Sequence, residues 1–179
     1  DGLRSYANSG SRQADVYSLF FTRDAWERFR LSKEDYALTK EIEDKAKEKE
    51  KKDKEATDKK KKKKSPEIKK DTSVVFEMDG IYDRKARLTI NSSTLGDAVL
   101  SKDGEKLYYL ASFEKGLNLW STNLRTKETK MELSLDAEKA NLMWDKDMKN
   151  LFILSDGSIF KINTDGWKKE PVAFKGEMT

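Results

Sequence analysis

Apolar residues in the second half of the chain are concentrated in short runs that recur at a regular spacing. Residues 100–110 and 144–154 each begin with an apolar residue, pass through a polar turn containing Lys-Asp, and end in a dense apolar run. The offset between them is 44 residues, and the next pair, 119–123 and 159–163, is offset by 40. Short apolar runs bounded by turn signals predict β-strands. The second half therefore contains two copies of one unit built from short strands.

Each copy divides into four predicted strands, and Asp-Gly pairs at 103–104 and 156–157 supply the tight turns within them. A repeat of about 40–45 residues made of four short strands is typical of a propeller blade. The predicted fold class is mainly β: an incomplete β-propeller of about two and a half four-stranded antiparallel blades, with a helical, Lys-rich insertion. The expected strands lie near residues 96–101, 106–112, 117–123 and 128–135, then near 139–144, 149–155, 158–163 and 170–175.

The strands at 107–110 and 151–154 are apolar at every position. Since successive side chains point to opposite faces of a sheet, each of these strands is expected to be covered on both faces by neighbouring blades. A propeller needs at least about four blades to close. The ring is therefore expected to be closed by residues outside this chain or left open.

The first part of the chain resembles a blade that is begun and then interrupted. Residues 3–8 and 15–21 have the pattern of strands, whereas 23–29 has helical spacing and Ser32 has the sequence context of a helix N-cap. From Glu43 onward almost nothing is apolar, and such a stretch cannot bury enough surface to fold alone. The predicted organisation is a partial blade at 1–21, a helical and Lys-rich insertion at 22–70, an outer strand and connector at 71–95, a blade at 96–135, and a blade with an exit towards a following domain at 136–179.

Charge is distributed unevenly and does not describe the folded part. The chain has 37 Lys and Arg against 33 Asp and Glu, a net charge of +4, yet residues 40–70 alone hold 15 Lys and 9 acidic residues. The remainder is slightly acidic, which argues against a nucleic-acid binder, because such a protein needs a basic face on its folded domain. Lys59 to Lys64 are consecutive and predict a flexible, solvated loop, with binding to nucleic acid or to an anionic membrane surface as the alternative.

Several classes of chemistry lack their usual residues. The 179 residues include no His and no Cys, which removes the commonest general base, the commonest metal ligand and any thiolate site. No catalytic residue, no metal site and no cofactor are therefore predicted. No apolar run approaches the roughly 18 residues of a membrane span, so no membrane is expected as a partner. The chain begins at Asp1 rather than Met, which predicts a processing boundary there.

Residues 76–89, FEMDGIYDRKARLT, carry a more informative motif. They resemble the I-D-F-D-G-I-x-D-R-x-x-R-L-T segment in the propellers of tricorn-type serine proteases, with matches at Asp79, Gly80, Asp83, Arg84 and Arg87. The resemblance covers most of the chain except roughly residues 43–70. It implies the C-terminal part of the propeller region in a bacterial homologue of these enzymes.

The resemblance implies a non-catalytic segment of a tricorn-like serine peptidase. Such a segment would guide or filter peptide substrates and support assembly, while the nucleophile and base lie in other domains. Whether the chain is itself an enzyme is left uncertain, since only the parent resembles a hydrolase. The implied partners are peptides and the parent's other domains, with a homo-oligomer left open and nucleic acid not expected. The implied compartment is the bacterial periplasm or outside, with the cytoplasm as alternative.

The alternative hypothesis is a stand-alone β-repeat scaffold for protein interaction with a polybasic tether. For Asp79, Gly80, Asp83, Arg84 and Arg87, a structural turn and ion-pair cluster is favoured over a binding site. The other polar and aromatic candidates are also interpreted structurally. Trp120 and Trp144 are expected to pack between blades, and the acids at 136, 138, 145 and 147 lack the spacing of a calcium loop.

Overall fold

The computed structural model describes residues 13–58, 74–113 and 115–173. The chain divides into two compact units, one comprising residues 1–18 with 86–179 and the other residues 19–85. The predicted strand at 3–8 and the run Lys59 to Lys64 lie outside the described residues. Among the described residues, no helix is long and apolar enough to span a membrane.

The unit of residues 19–85 is largely helical. Its helices are preceded by a short strand, and a second short strand, paired with the first, follows them. Thr22 caps the first helix by accepting a hydrogen bond from the Ala25 amide (3.2 Å), and Ser32 caps the second by accepting one from Asp35 (3.1 Å). The predicted helix and the predicted N-cap at Ser32 are confirmed. The elements between residues 17 and 87 are β1 (Tyr17–Leu19), α1 (Arg23–Arg30), α2 (Lys33–Asp58), a 3₁₀ turn (Ile81–Asp83) and β2 (Lys85–Arg87), and the unit boundaries fall within β1 and β2.

An aromatic cluster and an ion pair with α2 hold α1. The ring of Phe20 lies 5.3 Å from that of Trp26 and 4.7 Å from that of Phe29, measured between centroids. Arg28 pairs with Glu43 of α2, which raises the pKa of the guanidinium and lowers that of the carboxylate. The first turns of α2 are therefore fixed to α1.

The other unit contains two four-stranded antiparallel sheets. Each is a meander in which consecutive strands pair, which places the first and last strands at the edges. The prediction of a mainly β fold built from four-stranded antiparallel blades is confirmed. The strands of the first sheet are β3 (Thr94–Leu100), β4 (Lys106–Ser112), β5 (Leu117–Asn123) and β6 (Thr129–Ala137). Those of the second are β7 (Ala140–Trp144), β8 (Asn150–Ser155), β9 (Ser158–Asn163) and β10 (Lys168–Pro171).

One face of each sheet packs against the other to form the core, and the first strands β3 and β7 make the main contact between them. Leu110 and Leu119 of the first sheet are fully buried there, as are Leu151, Ile153 and Ile162 of the second. Fully burying one such side chain stabilises the fold by about 1.5–3 kcal/mol. Trp144 and Trp167 pack at the border of this core, each edge-on to Tyr108.

The two middle strands differ in a way that the sequence does not predict. β4 is buried on both faces, as expected for a strand between two layers. β8 is buried on one face, because Leu151 and Ile153 lie in the core while Leu154 is 45% exposed. Within the described residues, the strand at 151–154 is thus covered on one face only, and the expected neighbour on its other face is not among them.

Candidate functional site

An open cleft of about 780 Å³ lies at one end of the two sheets. Three segments form its walls: the start of β3, the β4–β5 hairpin, and the connection from β6 to β7. Both sheets contribute, so the cleft exists only when they are packed together. The lining residues are Thr94, Leu95, Gly96, Ser112, Lys115, Gly116, Leu117, Asp136, Ala137, Glu138, Lys139, Ala140 and Asn141.

Close backbone contact fixes the hairpin wall of the cleft. Gly116 has φ +64°, and a Cβ added there would lie 2.6 Å from Cα of Asp136. Only glycine allows the hairpin to approach the β6–β7 connection this closely. Asn118 completes the join, because its Oδ1 accepts hydrogen bonds from the amides of Leu135 (2.7 Å) and Asp136 (3.0 Å).

The other side of the connection is held by the β8–β9 turn. The Asp156 carboxylate accepts hydrogen bonds from the amides of Glu138 (3.4 Å) and Lys139 (3.0 Å). Both residues of this turn have positive φ, +46° at Asp156 and +81° at Gly157, which fits the two-residue Asp-Gly hairpin expected from the sequence. The connection between the sheets is thus tied at both ends.

The rim of the cleft carries charges of both signs. Lys115, Asp136, Glu138 and Lys139 are all exposed, and main-chain groups of the hairpin and the connection lie between them. The chain has no His or Cys to act as general base or thiol nucleophile. The groups present can form hydrogen bonds and ion pairs with a polar ligand.

Three polar links join the first strands and turns of the two sheets, and we call them the cross-sheet links. Asp97 accepts a hydrogen bond from the Leu142 amide (2.9 Å), and Trp144 Nε1 donates one to the Leu100 carbonyl (2.7 Å). Lys102 Nζ donates to the Asp147 carbonyl (3.3 Å). Sequence reasoning missed these links. An available signal was Asp97 itself, since aspartate is uncommon inside a strand.

The predicted motif at 79–87 is divided between the two units. Gly80 has φ +65° and begins the 3₁₀ turn that ends at the exposed Asp83. Arg84 is 3% exposed, and its guanidinium donates to the carbonyls of Asp79 (2.8 Å) and Phe20 (3.1 Å), as well as to those of Phe21 and Glu77. The carboxylate of Asp79 pairs with Arg23. Arg84 therefore ties the bend through main-chain oxygens rather than through a carboxylate.

Arg87 belongs to the other unit and has its own polar cluster. It donates to Asp15 (2.7 Å) and to Ser92 Oγ (2.9 Å), while Thr89 Oγ1 also donates to Asp15 (2.8 Å). Burial raises the pKa of Asp15, but hydrogen bonds from Thr89, Ser92 and Arg87 outweigh it, so the net pKa lies below its ordinary value. The cluster holds the segment before β1 against the segment after β2.

The remaining candidates have structural surroundings. Trp26 lies in the aromatic cluster near α1, and Trp120 packs edge-on to Phe113 at 4.8 Å between centroids. Asp145 accepts bonds from the Lys149 amide and Asn150 Nδ2 (both 2.7 Å) that close the β7–β8 turn, and the bond from Asn150 lowers its pKa most. In the part of the chain that the structure describes, no three acidic side chains cluster as metal ligands would.

Neither family models nor curated proteins match this chain. Solved structures that are similar to part of it include two at 18% identity and a TM-score of 0.45. The similarity to TolB from Acinetobacter baumannii covers 51% of this chain and 24% of that protein, and the similarity to the tricorn protease covers 55% and 9%. The chain thus spans less than a quarter of either protein's length, and its fold is assigned from its own two sheets.

Proposed function

We propose that this chain is a non-catalytic peptide-binding module whose cleft at the end of the two sheets guides extended peptide segments. The observation that carries the proposal is the open cleft of about 780 Å³ with charges of both signs on its rim. Its size lies within the range of about 300–1,000 Å³ that is usual for ligand sites. An extended peptide offers main-chain donors, main-chain acceptors and charged side chains, which match the groups available there.

Rigidity of the cleft walls favours binding. The β6–β7 connection is held by Asn118 on one side and Asp156 on the other, and Gly116 packs directly on it. A site whose walls are already fixed loses little conformational freedom when a ligand enters. Only the peptide then loses conformational freedom on binding, which is compatible with short-lived binding of successive peptide segments.

Charge reversal of the two lysines on the rim tests the cleft. The probe is a fluorescein-labelled, unstructured decapeptide of Gly, Ser and Val with two glutamates, followed by fluorescence anisotropy. We expect K115E/K139E to bind it about tenfold more weakly, because losing two rim attractions costs about 1.4 kcal/mol. Both side chains are exposed, so the fold should persist.

The matched control is K146E/K149E, which reverses two exposed lysines of the β7–β8 turn outside the cleft. It should change the affinity by less than about twofold. If both double variants bind the peptide equally weakly, the loss of affinity is due to the change in net charge and not to the cleft. Absence of binding to the unmodified chain would reject the cleft as a peptide site.

The finer part of the proposal is that the module belongs to a tricorn-like serine peptidase acting in the bacterial periplasm. It is supported by the resemblance of residues 76–89 and by the lack of His in this chain, which places the histidine of a Ser-His pair in another domain of such a peptidase. An antibody raised against this chain should detect, in an immunoblot of the source cells, a protein several times larger than 20.7 kDa. A single band near 20.7 kDa would overturn this part and favour a stand-alone scaffold.

A further inference from the structure

The second sheet has an apolar face that no described residue covers. This outer face consists of Met143 on β7, Phe152 and Leu154 on β8, Ile159 on β9 and Val172 after β10, and these residues line a shallow hollow of about 540 Å³. Met143 is 67% exposed and Leu154 45%. A contiguous, exposed apolar surface is more often an interaction site than a surface that remains in contact with water.

The internal sequence repeat shows which face of the first sheet corresponds to the outer face of the second. At the repeat offsets of 44 and 40 residues, four of its five side chains, all except Val172, correspond to side chains on the face of the first sheet that the second sheet covers. The outer face is therefore a second copy of a surface already seen to bind a four-stranded sheet. The corresponding pairs are Val99 with Met143, Tyr108 with Phe152, Leu110 with Leu154, and Leu119 with Ile159.

The polar groups repeat as well. Asp97, whose carboxylate accepts the Leu142 amide, corresponds to Asn141, which is exposed beside the outer face. Lys102, which donates to the carbonyl of Asp147, corresponds to the exposed Lys146. Two of the cross-sheet links thus have counterparts placed to accept an amide and to donate to a carbonyl of a further sheet.

We infer that the outer face docks another four-stranded antiparallel sheet of the same repeat, stacked in the same direction as the second sheet on the first. The covering surface of that sheet would carry aliphatic residues in the pattern of Leu142, Leu151 and Ile153. The end repeats of such arrays need a polar outer face to remain soluble, and this face is apolar. The inference concerns a different surface from the peptide cleft and does not depend on the proposed function.

A second copy of this chain does not fit as the occupant. Its second sheet already uses its covering surface against the first sheet. The equivalent surface of its first sheet includes Leu107, Tyr109 and Ala111, which are 1%, 1% and 0% exposed within the chain itself. Since the contact joins two different surfaces, it is also not the self-complementary kind that builds a twofold dimer. The sheet that docks on the outer face is therefore neither of the two sheets of a second copy.

The test uses the chain up to residue 173 with a copy of residues 138–173 joined after it as the docking probe. The copy carries Met143→Leu, so that the only peptide with Met143 comes from the original second sheet. Oxidation of Met143 by hydrogen peroxide, measured by peptide mass spectrometry, reports coverage of the outer face. We expect Met143 to oxidise at least about tenfold more slowly in the extended chain. Met131 and Met78, 46% and 69% exposed and outside this face, should oxidise at unchanged rates and serve as internal controls.

A matched variant carries Ile153→Asp in the added copy alone, which places a charge at the centre of its covering surface. It should restore the rapid oxidation of Met143. The inference is overturned if Met143 oxidises as fast in the extended chain as in the original chain. This holds whether the added copy is folded or unfolded, because in both cases the outer face has not bound the added sheet. Protection of Met143 in the original chain that disappears on dilution would also overturn it, by identifying a second copy as the occupant.

Discussion

Replacing Arg84 with methionine is expected to destabilise the unit of residues 19–85 by about 3 kcal/mol. Methionine keeps most of the side-chain length but removes every donor. The carbonyls of Phe20, Asp79 and Glu77 would then lose the buried guanidinium that they share. An unsatisfied buried acceptor costs about 1–3 kcal/mol, and partial rehydration limits the total.

Amide hydrogen exchange measures this effect locally. The amides of Phe20 and Glu77, which are bonded to the carbonyls of Arg84 and Phe21, should exchange about 100-fold faster in R84M. The Leu88 amide, bonded to Val16 in the other unit, is the internal reference and should keep its rate. The control Arg23→Met removes an exposed pair with Asp79 and should shift exchange only slightly. Normal exchange in R84M would show that the arginine does not hold the bend.

Replacing Gly116 with alanine is expected to cost about 2–5 kcal/mol and to disturb the cleft. The left-handed backbone costs a residue with a Cβ about 1–2 kcal/mol. The new Cβ would also lie 2.6 Å from the main chain of Asp136, and overlap of this kind adds about 1–3 kcal/mol. Urea unfolding followed by tryptophan fluorescence measures the loss.

Gly157→Ala is the matched control for this change. Gly157 has a comparable φ of +81°, but a Cβ there would meet nothing within 4 Å. It should therefore lose only the conformational part, about 1–2 kcal/mol. Equal losses in G116A and G157A would mean that the hairpin and the β6–β7 connection can separate without cost, and the rigidity assigned to the cleft wall would be wrong.

The strands were predictable because their signals are local. Apolar runs and Asp-Gly turns lie within a few residues of one another, and the observed strands β3 to β9 begin and end within about two residues of the predicted limits. β10 is observed at Lys168–Pro171, whereas the predicted strand is 170–175, whose last two residues lie outside the described part of the chain. The predicted strand at 15–21 is reduced to β1. Within the segment predicted as an outer strand and connector, 71–95, residues 74–78 have no regular structure.

The groups that build the sites were not predictable in the same way, because their partners are remote in sequence. Arg84 bonds to Phe20, 64 residues away, and Arg87 to Asp15, 72 residues away. The motif indicated that these arginines matter locally but not which atoms they contact. The cleft is formed largely by the main chain of three separate segments. In the sequence, only Gly116 and a few polar residues could therefore have indicated it. Coverage of β8 is likewise a property of the neighbouring layer and not of residues 151–154.

The cross-sheet links all lie along the innermost strands and turns, and this position has a mechanical consequence. The hydrogen bonds of Asp97 and Trp144 hold the two sheets together along their first strands. The angle between the sheets is then set by the volume of the side chains packed between their later strands, such as Leu133 and Phe160. If every further sheet were added at the same angle, the volumes of a few such side chains would fix the number of sheets in a closed ring.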